Sequence, residues 1–164
     1  MSSQDRIDPP AAARAWVPHV LRSLRPTLLI AGDDAAVRSV LGAELSDSFL
    51  IVAIAGDASE AIALAERHRP DAALLDIEIA GGGARAAVPE IDARSPETCM
   101  VILSGDEPHN VLAEIVGAGA TSYVRKGVGT LRLVNALTDA LALKTGSAGV
   151  RRTASERQLS SSTS

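Results

Sequence analysis

The feature that most constrains this chain is a set of short apolar runs that stop abruptly on polar or charged groups. Asp71-Ala-Ala-Leu-Leu-Asp76-Ile-Glu-Ile79 breaks on the carboxylate of Asp76. Thr27–Ala31 is followed by Gly32-Asp33-Asp34, Cys99–Leu103 by Ser104-Gly105-Asp106, and Thr121–Val124 by Arg125-Lys126-Gly127. Apolar runs of four to six residues ended by a charge read as buried parallel strands that deliver side chains to one edge of a sheet. In open α/β sheets, ligand and chemical sites lie at that edge.

Between the runs the period changes. Val37, Val40, Leu41 and Leu45 place a helix over Ala35–Leu45; further helices are expected over Ser59–His68, Arg85–Ala93, Val111–Val116 and Thr130–Leu143. Pro89 argues against continuity of the third, and Gly81-Gly82-Gly83 before it reads as a flexible loop. With Phe49–Ile54 as another strand, the chain alternates strand and helix five times from Thr27 to Leu143. That pattern implies an α/β fold, a doubly wound five-stranded parallel sheet covered on both faces by right-handed crossovers.

The flanks differ from this core. Met1–Pro10 is polar with a Pro pair and reads as a disordered leader. Ala11–Leu24 carries Trp16, Val17, Val20, Leu21 and Leu24 at helical spacing, but Pro18 is harmless only in a first turn, so His19–Arg25 is the firmer helical piece, suited either to packing on the domain or to a partner or dimer contact. The domains are therefore an extension over 1–26, a folded unit over 27–144, and a Gly/Ser/Thr-rich tail over 145–164 expected to be disordered.

Composition narrows the function. A length of 164 residues suits one domain at roughly 150 residues each. A net charge of −4 removes any global attraction to nucleic acid or anionic membrane. No apolar run approaches the ~18 residues of a membrane span. The single Cys99, inside an apolar run, excludes an internal disulfide and fits packing in a reducing, cytoplasmic setting. His19, His68 and His109 lack metal-ligand spacing, and neither a dinucleotide fingerprint nor a phosphate-loop lysine follows the first strand.

Brought to one edge, Asp33, Asp34 and Asp76 would form an acidic cleft that needs a cation, and hard carboxylate oxygens suit Mg2+. Ser104 supplies a hydroxyl and Lys126 a point charge for phosphoryl oxygens. A carboxylate nucleophile, a metal, a hydroxyl and an ammonium are what phosphoryl transfer to an aspartate requires.

The order Asp-Asp, Asp, Ser, Lys resembles the receiver domain of two-component response regulators (chemotaxis-Y-like). Gly56–Ala61, Pro70–Glu78 and Ser122–Lys126 strengthen the resemblance, which covers Thr27 to about Leu143. It implies a flavodoxin-like sheet of strand order 2-1-3-4-5 and a signalling phosphoacceptor rather than an enzyme. Asp76 would take a phosphoryl group from a phosphohistidine of a sensor histidine kinase or phosphotransfer protein. Asp33, Asp34, Asp76 and the backbone carbonyl of Glu78 would hold Mg2+. Ser104 and Lys126 would bind phosphoryl oxygens, and Tyr123 would act with Ser104 as the switch on the face of the fourth helix, fifth strand and fifth helix, through which a homodimer could form. A pseudo-receiver that binds partners without phosphorylation is the alternative.

Two departures bear on the site. Ala80 stands where the family usually has Pro, implying a looser loop. Gly127 stands where it has a Pro often preceded by a cis bond; without Pro that bond costs roughly 3 kcal/mol, so it is either trans or strained. Thr153–Leu159 faintly resembles the start of a LuxR-type DNA-binding domain, too short to imply one.

Overall fold

The computed structural model describes residues 25–159, with side chains up to residue 144; the helix expected over Ala11–Leu24 lies outside the described residues. Five strands, β1 (Thr27–Ala31), β2 (Leu50–Ala55), β3 (Ala72–Asp76), β4 (Cys99–Ser104) and β5 (Ser122–Arg125), alternate with five helices. These are α1 (Ala35–Leu45), α2 (Ala58–His68), α3 (Gly83–Arg94), α4 (His109–Gly117) and α5 (Thr130–Leu159). All pairings are parallel, in the order β2-β1-β3-β4-β5. The flavodoxin-like order is therefore as expected.

Alternation along the strands sorts the core into two layers. Leu29, Ala31, Ala73, Leu75, Met100 and Ile102 face α2, α3 and α4, and Leu28, Ile30, Leu74, Val101 and Leu103 face Leu45, Phe49 and α5. Cys99 is fully buried in the second layer, and burial pushes its thiol up, with Thr121 and Lys144 opposing. It packs, as expected.

At the edge opposite the candidate site, the start of β1 is tied to the start of β3. The Thr27 N–H and hydroxyl both donate to Asp71 Oδ2, at 2.8 and 3.0 Å, and the Asp71 N–H donates to Thr27 Oγ1. Asp71 in the Pro-Asp motif is thus structural. Asp71→Ala would leave the buried Thr27 N–H unpaired, and urea denaturation is expected to show a loss of about 1–3 kcal/mol. A change below a few tenths would mean that water replaces the carboxylate there.

Helix α3 runs through Pro89 without a break. A proline at that depth costs about 3 kcal/mol, but Ala84, Ala87, Val88 and Ile91 are fully buried, and that packing holds the helix. Helix α5 also departs from expectation: it continues from Leu143 to Leu159, through most of the tail expected to be disordered. Ala, Arg, Glu and Gln there are good helix formers, and two glycines cost only about 1 kcal/mol each against them. Among the described residues no helix is long and apolar enough to cross a membrane.

Candidate functional site

The sheet changes direction between β1 and β3, since the chain runs outward from β1 to β2 and then returns to the other side. At such a switch point the loops part and leave a crevice. Asp76 is the last residue of β3 and so stands in it. Register fixes its neighbours: Asp76 pairs with Leu103, Ser104 with Arg125, and Ala31 with Leu75. One step past Ala31, Gly32 lies beside Asp76, and a Cβ placed on Gly32 would be 3.6 Å from the Asp76 Cβ.

Lys126 reaches across from the end of β5 and places Nζ 2.8 Å from Asp76 Oδ1 and 3.8 Å from Glu78 Oε2. The Glu78 N–H donates to the same Asp76 oxygen at 3.0 Å. The Lys126 N–H donates to the Ser104 carbonyl at 2.7 Å, holding the lysine at the sheet edge. Its bond to Gly127 is trans, and Gly127 turns the chain with φ +84°.

Burial alone would lower the Lys126 pKa. The hydrogen bond and charge of Asp76, with the charges of Glu78 and Glu107, outweigh it and raise the ammonium above its ordinary value of 10.5. A raised folded value means that the pair's contribution to stability is complete below the unfolded pKa and is lost as pH climbs through the folded one. Following the Lys126 Cε resonance by NMR is therefore expected to give a titration above pH 10.5, shifted downward in Asp76→Asn. An unchanged midpoint in that variant would show that Asp76 is not the cause.

The three aspartates do not converge. Asp33 Oδ1 accepts the Ala80 N–H at 2.6 Å. Asp34 is the N-cap of α1, its Oδ1 accepting from Ala36 N at 2.8 Å and Val37 N at 3.2 Å. Among the described residues no group of three His, Cys, Asp or Glu is placed to hold a metal. Of the expected set, Asp34 engages its helix through Oδ1. Among the described residues Asp33, Asp34 and Asp76 each bond through Oδ1, and their carboxylate oxygens, like the Glu78 carbonyl, are hard donors that suit Mg2+ in type.

The loop after Asp76 is tied, contrary to the looser loop expected. Ala80 supplies the N–H that a proline would lack, to Asp33, and its carbonyl accepts from Ala58 N at 2.8 Å. Ser104 is buried at the end of β4 with its hydroxyl directed to the Val124 carbonyl at a long 3.4 Å. Tyr123 is 42% exposed on β5, away from Asp76's immediate partners.

Two residues near the site were missed by sequence reasoning. Arg38 donates from Nη1 to the carbonyls of Gly32 and, at 3.0 Å, Asp33, bracing the acidic turn. Its signal was a cation one turn into α1, where the helix dipole disfavours it. Glu107 adds negative charge beside Lys126, and its Oε2 is shielded from solvent without a hydrogen-bond partner among the described residues. A cleft of about 420 Å3 between α1 and the β5–α5 turn, lined by Asp34, Val37, Asp76, Lys126, Val128 and Leu133, leads to the pair.

A doubly wound sheet of this order with an aspartate–lysine pair at its switch point is the architecture of a receiver. Residues 28–138 match the response regulator receiver domain family, and the chain belongs to it. It is the receiver domain of a two-component response regulator; such domains pair with histidine kinases and are typically magnesium-dependent.

Among curated relatives, the transcriptional regulatory protein PdtaR of Mycobacterium tuberculosis is 31% identical over 67% of this chain and 54% of its own. CitT of Bacillus subtilis is 34% identical over 50% of this chain and 36% of its own. This chain spans about a third to a half of the length of these relatives. A CheY-like receiver domain from Methanospirillum hungatei superposes with a TM-score of 0.69 at 21% identity, over 75% of this chain and 98% of that one, showing the shared fold.

Proposed function

We propose that this receiver is a phosphorylatable switch whose acceptor is Asp76. The observation that carries this reading is the Asp76–Lys126 contact at the switch-point crevice. A carboxylate oxygen of Asp76 attacks the phosphorus of a phosphohistidine on a sensor kinase or phosphotransfer protein. The new bond is O–P, the N–P bond breaks, and its electron pair returns to the imidazole, which takes up a proton.

The chain's own groups have defined tasks in that step. Lys126 neutralises charge on the phosphoryl oxygens and fixes the carboxylate, and the Glu78 N–H orients it. The Ser104 hydroxyl, weakly engaged with Val124, is free to turn to a phosphoryl oxygen, and Tyr123 on β5 would follow that rearrangement on the α4–β5–α5 face. That face is also the proposed homodimer contact. Asp33, Asp76 and the Glu78 carbonyl would hold Mg2+, which when bound offsets negative charge between acceptor and phosphoryl group. Output is proposed to pass through protein contacts, with no direct nucleic-acid binding.

One observation favours the pseudo-receiver alternative. Gly32, not an acid, lies level with Asp76, and Asp34 caps α1, so the acidic set is thin. Intact mass after incubation with Mg2+ and acetyl phosphate separates the readings. A gain of one phosphoryl group in the wild type and none in Asp76→Ala is expected. No gain at any magnesium concentration would leave the unphosphorylated binding module.

A further inference from the structure

Arg38 stands where a cation gains least from its own helix. It lies one turn into α1, near the positive end of the dipole, and its half-buried side chain folds back over the start of the helix. Nη1 donates to the Gly32 carbonyl and, at 3.0 Å, to the Asp33 carbonyl. Both residues precede the N-cap Asp34, whose own carbonyl takes the Arg38 N–H at 3.0 Å.

The two carbonyls belong to the two peptide planes on either side of the Asp33 Cα. Each plane is rigid, so holding both fixes φ and ψ of Asp33, and with them the direction in which its side chain leaves the backbone. That side chain crosses to the acceptor loop, where Asp33 Oδ1 accepts the Ala80 N–H at 2.6 Å. Ala80 is held on its other side as well, its carbonyl accepting from Ala58 N at 2.8 Å and its backbone bridged to Asp57.

The guanidinium is itself located. A Cβ on Gly56 would lie 3.7 Å from Arg38 Nη1 and 3.6 Å from Glu60 Oε2, so cation and carboxylate converge over that glycine. Glu60 Oε2 is held there by the Gly56 N–H at 2.8 Å. The Arg38 stem passes beside Gly32, with Cγ 4.0 Å from the point where a Gly32 Cβ would stand, and Asp76 Oδ2 is 3.9 Å from the same point. One side chain thus touches the loops after β1 and β2 and, through Asp33, reaches the loop after β3.

We propose that Arg38 is a positioning residue: by clamping both peptide planes of Asp33 it aims that carboxylate at the Ala80 N–H and so sets the loop that follows Asp76. The effect on phosphoryl transfer rests on the phosphoacceptor reading, whereas the clamp does not.

Two readouts keep these apart. Hydrogen exchange of the Ala80 amide, followed by NMR on the magnesium-free full chain, reports the clamp directly. In Arg38→Met, which keeps the stem and removes the donors, Ala80 exchange is expected to speed about tenfold or more, the scale of a lost bond to a charged acceptor, while Leu74 and Leu75 in β3 speed much less. Phosphorylation by acetyl phosphate with magnesium is expected to slow about tenfold in the same variant, as when support to a ligand is lost. In an Asp33→Ala background Arg38→Met is expected to add nothing, because both changes act through one carboxylate. Unchanged Ala80 exchange would overturn the proposal, as would equal acceleration at Leu74 and Leu75, which would make Arg38 a general stabiliser, or a rate loss that adds to that of Asp33→Ala. A wild type that takes up no phosphoryl group would defeat the phosphoacceptor reading alone, and Ala80 exchange would still decide the clamp.

Discussion

Lys126→Ala is expected to slow phosphorylation by acetyl phosphate by about 10²–10³-fold, the usual cost of removing one preorganised donor from a developing oxyanion. Nζ stands 2.8 Å from Asp76 Oδ1, where charge must be neutralised as the phosphoryl group arrives. The same substitution is expected to leave thermal stability nearly unchanged. The side chains of the pair remain 38% and 23% exposed, and ion pairs open to water contribute only about 0–1 kcal/mol. Lys126→Arg should fail to restore the rate, because a planar fork does not reproduce a mobile ammonium at that site. Measuring the pseudo-first-order rate beside the melting temperature tests both halves. A rate loss under about tenfold would reduce Lys126 to a surface partner of Asp76. A large stability loss would mean that the pair is structural.

The strands were legible because a run such as Cys99–Leu103, buried on both faces, has to be continuously apolar. Strand ends were legible too: Asp76 closes β3, Lys126 directly follows β5, and the two do meet. Helix boundaries were less so. The continuity of α3 through Pro89 depends on packing by Ala84, Ala87, Val88 and Ile91 that no local rule contains. The continuation of α5 to Leu159 was hidden by Gly and Ser, whose helix cost is modest once a long helix is already nucleated.

The carboxylates mark the limit of sequence reasoning at the site. Aspartate is both a good magnesium ligand and a preferred helix N-cap, so Asp33-Asp34 before a helix can supply two ligands or one ligand and one cap. The hydrogen bonds of Asp34 to Ala36 and Val37 fit the second case. Nor could periodicity reveal that Gly32 lies level with Asp76, since that depends on the register between β1 and β3. Asp34→Ser, a substitution that keeps a capping oxygen, is accordingly expected to preserve stability and leave magnesium-dependent phosphorylation within about threefold, whereas Asp33→Ala should depress it by about tenfold or more, on the scale of lost metal ligation and its support. Equal losses in the two variants, followed by titrating magnesium against the phosphorylation rate, would return Asp34 to the ligand set.

Gly83→Ala is expected to cost far more stability than the addition of one methyl group usually does. The triple glycine reads as flexible in sequence, yet all three residues adopt positive φ in the structure, with Gly83 at +70°. A Cβ there would lie 2.7 Å from the Ile77 carbonyl oxygen, a backbone atom that cannot turn aside. Left-handed backbone alone costs a residue with a side chain about 1–2 kcal/mol, and the clash adds strain of a further 1–3 kcal/mol or so. The Gly83 N–H also donates to the Ile79 carbonyl, and Ala84 N to Ile77 O, so relief by shifting the loop would break the turn that starts α3. A loss of about 2–5 kcal/mol follows, a fall of roughly 10 °C or more in melting temperature for a domain of this size. Ile77 and Glu78 follow Asp76 directly, so the shift should also disturb the Glu78 N–H that orients the acceptor. Gly81→Ala, whose Cβ would meet Ala58 at an ordinary 3.5 Å, should pay only the backbone term and fall about half as far. Equal melting temperatures for the two variants would show that the Ile77 carbonyl is free to move, and that the loop is as pliant as its glycines suggest.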